Sequence, residues 1–458
     1  MKTNNIQLAD HFTYNKLLRF TFPTVIMMVF TSIYGVVDGF FVSNFAGKTS
    51  FAAINLVMPF VMILGGMGFM VGTGGTALVS LVLGEGSREK ANRYFTMMIY
   101  LTLIMGILLS ATGIIFMRPV ATFLGATPEM MTDCILYGRV VISFTTAFML
   151  QNVFQSFFIA AERPKLGLAV TVAAGMVNMF LDALFVGAFK WGVTGAALAT
   201  GLSQCIGGIL PLIYFICPNT SLLRLTRTKL ELKPLMHACM NGSSELMNNI
   251  SSSIVSMIYN FQLLKYVGEN GVSAYGVLMY VQFIFIAIFL GYSIGSAPVI
   301  SYHYGAGNHT ELHNMLKKSF ILTCIAGVVL TASAFLLASP LAKIFVGYDA
   351  ELFELTSHAF RLFAFSFLLA GFNIFISSFF TALNNGAVSA AISFMRTLIF
   401  QTASVLILPV FLGIDGIWWA ITVAEVCACV LSGGFLFAKR GKYHYFSPAS
   451  QSDNMSSP

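Results

Sequence analysis

A set of glycines, prolines and small residues recurs in this chain at a fixed spacing. Gly74, Ser80, Gly84 and Gly86 return as Gly295, Ser301, Gly305 and Gly307. Pro119 and Ala121 return as Pro340 and Ala342, and Gly192, Gly195 and Ala199 return as Gly413, Gly416 and Ala420, always 221 positions on. An offset held over so long a stretch predicts two copies of one structural unit. The ionisable residues do not follow it: at the same spacing Asp38 meets Tyr259, Asp182 meets Ala403 and Glu245 meets Thr24.

The environment of that unit follows from composition. Of 458 residues, 57% are apolar and only 9% charged, with a mean hydropathy of +0.82. Soluble domains carry about 25% charged residues, so this chain is built for lipid. Apolar stretches of membrane-crossing length recur from end to end. They predict twelve helices, over 17–43, 50–82, 94–117, 133–160, 165–188, 191–216, 239–263, 271–302, 318–338, 355–381, 388–411 and 415–438. Six crossings per copy make the copies parallel rather than inverted. The expected fold is an all-α polytopic membrane protein, with twelve transmembrane helices in two parallel-repeat six-helix lobes around a central cavity. The lobes are expected at 1–216 and 239–438, joined by a basic, proline-containing cytoplasmic linker at 217–238. A Ser/Pro-rich disordered tail is expected at 439–458.

Charge sets the orientation. With the N-terminus inside, 18 of the Lys and Arg residues fall on the inner side and 7 on the outer, a positive-inside bias that places both termini in the cytoplasm. The expected location is the plasma membrane, or the inner membrane of a Gram-negative cell. The net charge of +7 then reflects topology and anionic lipid. No basic stripe with interleaved aromatics points to nucleic acid, and no cleavable leader is expected. The seven cysteines show neither a disulfide framework nor zinc spacing. His303, His309 and His313 are read as part of a solvated loop.

An ionisable group at membrane depth costs about 2.5–3.5 kcal/mol on insertion scales, so each is a functional candidate. Asp38 lies inside the first helix with Tyr34 one turn earlier, and Pro23 upstream permits that helix to bend. Asp182 lies in the fifth helix with Asn178 at i−4 and Gly175 at i−7. Both acids fall in the outer halves of their helices and are expected to share a cavity in the N-terminal lobe. A buried carboxyl group holds a proton more readily than one in water, which suits uptake and release of an ion. The seventh helix carries Glu245, Asn249, Ser252, Ser256 and Asn260 on one face, expected to line a substrate cavity or the seam between lobes. Gln151, Asn152 and Gln155 in the fourth helix, and Arg396 and Glu425 in the last two, are lesser candidates alongside a reading as interhelical packing residues. Met and aromatic residues are expected to shape an adaptable cavity.

The chain has no P-loop, no His-Glu-x-x-His and no nucleophile elbow. It is therefore expected to be a carrier rather than an enzyme, without cofactor or obligatory protein partner, and driven by an ion gradient. A symmetric body with asymmetric charge suggests coupling mainly in one half. The rival transport reading is a flippase for lipid-linked sugars or polysaccharide precursors. A flippase would need several deep Arg or Lys for a pyrophosphate, whereas the deep charges here are acids. A receptor or scaffold does not account for buried acids in a duplicated frame.

Asp38 with Pro23, the stretch NMFLDALFVGAFKWGVTGAALAT at 178–200 followed by Ser203 and Gln204, and the turn Gly305-Ala306-Gly307 resemble the multidrug and toxic compound extrusion (MATE) family over nearly the whole chain. Within it, the chain is similar to the bacterial MepA-like exporters. The resemblance implies a two-lobed antiporter exporting organic, often cationic, compounds against entry of H⁺ or Na⁺. It implies ion coupling at Asp38, Asn178 and Asp182, a possible Na⁺ site, with Glu245 matching a Glu implicated in some members. Some Na⁺-coupled members carry an Asp in the tenth helix, where this chain has only Asn373.

Overall fold

The computed structural model describes residues 6–45 and 48–446, and every regular element among them is helical. The N-lobe consists of α1 (Tyr14–Phe45), α2 (Lys48–Gly84), α3 (Arg88–Phe123), α4 (Pro128–Ser143), α5 (Thr145–Ala160), α6 (Pro164–Asp182) and α7 (Gly192–Ile216). The C-lobe repeats this order with α8 (Leu232–Tyr266), α9 (Glu269–Gly305), α10 (His309–Val346), α11 (Ala350–Ala364), α12 (Phe367–Ala382), α13 (Gly386–Phe394), α14 (Gln401–Leu412) and α15 (Ile414–Ala438), then a single turn, α16 (Arg440–Tyr443). Nine spans among the described residues are long and apolar enough to cross a membrane, and the bent pairs α4–α5 and α11–α12 supply two more. The twelfth crossing is α8, whose 35 residues reach about 52 Å at 1.5 Å per residue. Its polar face makes it less apolar than the other spans.

The repeat is visible in the backbone. Gly86 and Gly307, which follow the ends of α2 and α9, have φ of 84° and 66°; Gly192 and Gly413 have φ of 56° and 59°. Such values suit glycine, which has no Cβ to clash. Glu162 and Asn384 form a further positive-φ pair, at 60° and 55°, one residue off the 221 spacing. The helices expected at 133–160 and 355–381 are each broken, by bends of 51° and 48°. No proline or glycine marks the first break. There Ser143 Oγ donates to the Val140 carbonyl at 2.6 Å, a local bond that competes with the helix ladder. Each lobe also contains one π-turn, at Ala183–Ala188 and at Met395–Phe400.

Three further boundaries differ from expectation. α8 begins at Leu232, inside the expected linker. The tail expected to be disordered from 439 instead continues as α16, with Tyr443 and Tyr445 buried. Aromatic bulk holds it there: the Tyr445 hydroxyl donates to the Leu436 carbonyl at 2.6 Å, and His313 Nδ1 bonds the Tyr445 carbonyl at 2.8 Å. Residues 447–458 lie outside the described residues. His303, expected in a solvated loop, is buried in the last turn of α9.

The lobes meet backbone to backbone. A methyl group added to Gly84 would strike the Tyr302 carbonyl, and one added to Gly305 would strike the Leu81 carbonyl. These are one contact written twice, since both partners are related by the repeat. In the next layer Gly74 faces the Ala238 carbonyl, Gly242 faces the Met70 carbonyl, and Gly295 rests on Thr21. Close approach at small residues is how helices associate in lipid, where apolar side chains gain nothing by leaving the solvent. This end also carries both described chain ends. The segment before α1 straps the lobes together: the Leu8 amide donates to Glu162 Oε1 at 2.7 Å, and the Phe12 amide to Glu311 Oε1 at 2.9 Å. Towards the opposite end, Gly35 and Gly39 of α1 face open space.

Valine at Gly84 or at Gly305 meets main chain that cannot swing aside, so each change is expected to cost about 1–3 kcal/mol. Gly276→Ala, which meets nothing within 4 Å, is the control. Thermal unfolding in detergent checks this, and an unshifted midpoint for either valine variant would show that the seam is not closed at these carbonyls. The strap adds a pH term. Burial pushes the Glu162 carboxyl above its usual range, with the Leu8 amide opposing. A raised pKa favours the protonated form in the folded state, so its contribution is complete at acid pH and is lost as pH rises through the raised value. Glu162→Gln is therefore expected to gain stability relative to wild type between acid and neutral pH, read from the midpoints at each pH.

Candidate functional site

The N-lobe gathers its polar side chains from four helices. Asp38 comes from α1, Asn178 and Asp182 from α6, Gln151 and Gln155 from α5, and Gln204 from α7. α1 and α6 come together because Gly175 leaves room for the Phe30 and Tyr34 rings, so the glycine at i−7 from Asp182 has a packing role. Asp182 is fully buried, and Asn178, Gln151, Gln155 and Gln204 are buried as well. The Asp38 and Asp182 carboxyl groups are close enough to act on each other, and Tyr34 neighbours Gln151. Gln155 Nε2 donates to Thr171 Oγ1 at 3.4 Å, and Asn152 Nδ2 to the Gly65 carbonyl at 3.1 Å.

Charge compensation is missing here. Asp38 Oδ1 and both carboxylate oxygens of Asp182 are buried without a donor, as are the side-chain oxygens of Asn178, Gln151, Gln155 and Gln204. The amides can present either end, but ionised carboxylates only accept. Two such groups side by side in low dielectric repel unless a proton or a cation lies between them. Oxygen-only ligands of this kind suit a hard cation or a proton rather than a soft metal. Among the described residues no cluster of three or more His, Cys, Asp or Glu could hold a metal.

The structure separates Glu245 from that pair. It opens into a cavity of about 20 Å³ in the seam, lined by Thr73, Thr76 and Ser156 of the N-lobe and by Ser378 and Thr381 of the C-lobe. That is room for a water but not for an organic molecule. The single polar face expected along α8 divides among different tasks. Asn249 Nδ2 donates back to the Glu245 carbonyl at 2.9 Å, Ser252 is exposed, and Ser256 bonds Tyr275 of α9. Pro23 is buried in the half of α1 that meets the C-lobe, near Thr24 and Val25, which pack on Gly291.

A second buried charge cluster lies in the C-lobe. Arg396, at the start of the π-turn after α13, places Nη2 2.7 Å from Glu425 Oε1 on α15, and its Nε donates to the two carboxylate oxygens at 2.9 and 3.0 Å. Asn373 Nδ2 on α12 donates to Glu425 Oε2 at 2.7 Å and to the Glu425 carbonyl at 3.0 Å. Sequence reasoning named Arg396 and Glu425 together as lesser candidates but placed Arg396 near a helix end and missed the pairing, whereas the structure buries it against Glu425. The signal that could have found it is the coincidence of one deep Arg and one deep Glu in neighbouring helices.

Two parallel six-helix lobes, meeting along a glycine seam and holding an uncompensated carboxylate pair inside one of them, define a polytopic membrane transporter. The MatE family model matches residues 23–184 and 246–405, one stretch in each lobe. A multidrug export protein MepA from Staphylococcus haemolyticus is 22% identical over 94% of this chain and 94% of its own. Its counterpart from Staphylococcus saprophyticus is 24% identical over 91% and 92%. Among solved structures, an outward-facing multidrug resistance MATE transporter of the MOP superfamily aligns with a TM-score of 0.90 at 22% identity, covering 97% of this chain and 99% of that one. A MOP superfamily transporter from Pyrococcus furiosus aligns with a TM-score of 0.88 at 22% identity, covering 98% and 100%. The chain belongs to the MatE family and is a transporter, not an enzyme.

If the carboxylates lack donors, an amide in place of either supplies one. Asp38→Asn and Asp182→Asn are each expected to match or exceed the wild-type thermal midpoint. A loss of more than about 2 kcal/mol in either would mean that the carboxylate has a partner whose loss is felt.

Proposed function

We propose that this chain is an ion-coupled antiporter that exports organic, mainly cationic, compounds by alternating access. H⁺ or Na⁺ enters at Asp38, Asp182 and Asn178 in the N-lobe. The chain sits in the plasma membrane with both termini cytoplasmic. The observation that carries this reading is the meeting of Asp38 with the buried Asp182 at the contact of α1 and α6, where Asp38 Oδ1 and both Asp182 oxygens are buried without a donor. The names of the curated relatives as multidrug export proteins support the cargo. Charge supports it too: the deep Arg396 is already paired with Glu425, which leaves the acids as the free charges.

α1 links the site to the movement. Its first half packs on α9 of the C-lobe at Thr21, Thr24 and Val25, and its second half packs on α6 beside Gly175. Pro23 lies in the first half and removes one rung of the helix ladder. Occupancy of Asp38 by an ion changes what α1 holds at one end, and the seam responds at the other. Ion and cargo drive a cycle only if each binds the two states unequally. Tyr34, Gln155, Glu245, Asn249 and Ser252 are assigned, as the weaker part of the proposal, to cavity lining or coupling.

Ethidium efflux from proteoliposomes under a pH gradient, and separately under a Na⁺ gradient, tests the proposal. Wild type is expected to respond to one gradient. Asp38→Asn is expected to lose that response by at least about tenfold, the loss of one interaction worth about 1.4 kcal/mol. Undiminished gradient-driven efflux in the variant would remove Asp38 from coupling. No efflux under either gradient, with lipid-linked precursors retained in cells lacking the protein, would replace the exporter with a flippase.

A further inference from the structure

The repeat reveals what stands opposite the Arg396–Glu425 pair. Glu425 occupies the position 221 residues after Gln204, and Arg396 the position 221 residues after Gly175 of α6. The N-lobe thus holds two acids among amides with no cation, while the C-lobe holds one acid whose cation is built into the chain. That cation is well fitted. The guanidinium meets both carboxylate oxygens, Asn373 supplies a further donor, and the Glu425 and Arg396 side chains are only 2% and 13% exposed. Bidentate arginine–carboxylate geometry of this kind is stronger than a point-charge contact. The π-turn over Met395–Phe400 begins beside Arg396, and such turns gather at functional positions.

We propose that Arg396 is a tethered cation: its guanidinium permanently fills the cation position of the C-lobe and confines ion exchange to the N-lobe. This rests on the reading of the chain as ion-coupled. Both partners belong to one lobe, so rocking of the lobes leaves the pair intact and Glu425 neutralised in either state. Arg396 is then a positioning residue, and Glu425 without it becomes a site for a small monovalent cation.

The test uses the full chain with Arg396→Ala, Arg396→Lys and the double variant Arg396→Ala/Glu425→Gln. Thermal midpoints are measured in choline chloride and after replacing part of it, at constant ionic strength, with NaCl, LiCl or millimolar guanidinium chloride. Arg396→Ala is expected to have a lowered midpoint in choline, restored by guanidinium or an alkali cation by more than any shift seen in wild type. Its ethidium efflux falls by about tenfold or more, as when one partner of a buried pair is removed. Arg396→Lys and the double variant are expected to keep efflux, and the double variant is expected to ignore the added cations.

Failure of every cation to restore Arg396→Ala, or a double variant as inactive as Arg396→Ala, would overturn the proposal. Should Arg396→Ala not fold, the double variant decides: efflux kept in it upholds the proposal, and efflux lost overturns it. If wild type shows no gradient-driven efflux, the ion-coupled reading fails, while the midpoints still report whether Arg396 stands in for a bound cation.

Discussion

A carboxylate held away from water needs a donor, a cation or a proton, and much of this structure follows from how each acid meets that demand. Glu311 meets it with the Phe12 amide, Asn314 and His11, and so fastens the N-terminal segment to the C-lobe. Glu425 meets it with Arg396 and Asn373 and becomes part of the C-lobe interior. Glu245 opens into a cavity in the seam. Asp38 Oδ1 and both oxygens of Asp182 have no donor. Of these acids, that pair is the one left open to balance by a proton or cation, which is why it carries the proposed coupling.

The seam has the complementary property. Where the lobes touch most closely, glycine meets a main-chain carbonyl, at Gly84 against Tyr302 and at Gly305 against Leu81. Such contacts depend on fit rather than on interlocked long side chains, so parting them leaves few rotamers to reorder. Most polar bonds that cross near this seam come from the segment before α1, through Glu162 and Glu311, and from α1 itself. α1 belongs to the N-lobe by sequence, yet it packs on both lobes. In the proposed cycle, that makes it the physical link between the acid pair and the seam.

Much of this was legible in the sequence because it rests on period and spacing. The 221-residue repeat, the apolar spans and the i−4 relation of Asn178 to Asp182 all survive folding, and Asp38 and Asp182 do meet. Other features had no local signal. The break at Phe144 contains neither proline nor glycine and relies on a serine bond to Val140. The π-turns leave no recognised residue pattern. α8 was read as one continuous polar face, but its neighbours divide it, because Asn249 turns back on its own helix and Ser256 faces Tyr275. Arg396 and Glu425 lie on different helices, and only tertiary packing brings them within 2.7 Å. Tyr443 and Tyr445 sit in a segment whose Ser/Pro-rich continuation suggested disorder, yet their rings fill space beneath the C-lobe.

Duplication explains why the two lobes share a scaffold and differ in chemistry. Among the residues that repeat are glycines facing carbonyls across the seam and glycines with positive φ at helix ends. Each serves a contact or turn that occurs twice, and a change in one copy would unbalance a joint made by both. Small interior residues such as Ala121 and Ala342 repeat as well, but the charged interior groups do not. There the requirement is electrical, and it is met locally: a lobe can balance a carboxylate with a guanidinium on the next helix, or leave a carboxylate pair to be balanced from solution. A charge balanced internally is indifferent to the ion gradient. A charge balanced from solution responds to it, so a scaffold with one lobe of each kind has a fixed half and a half that can be driven.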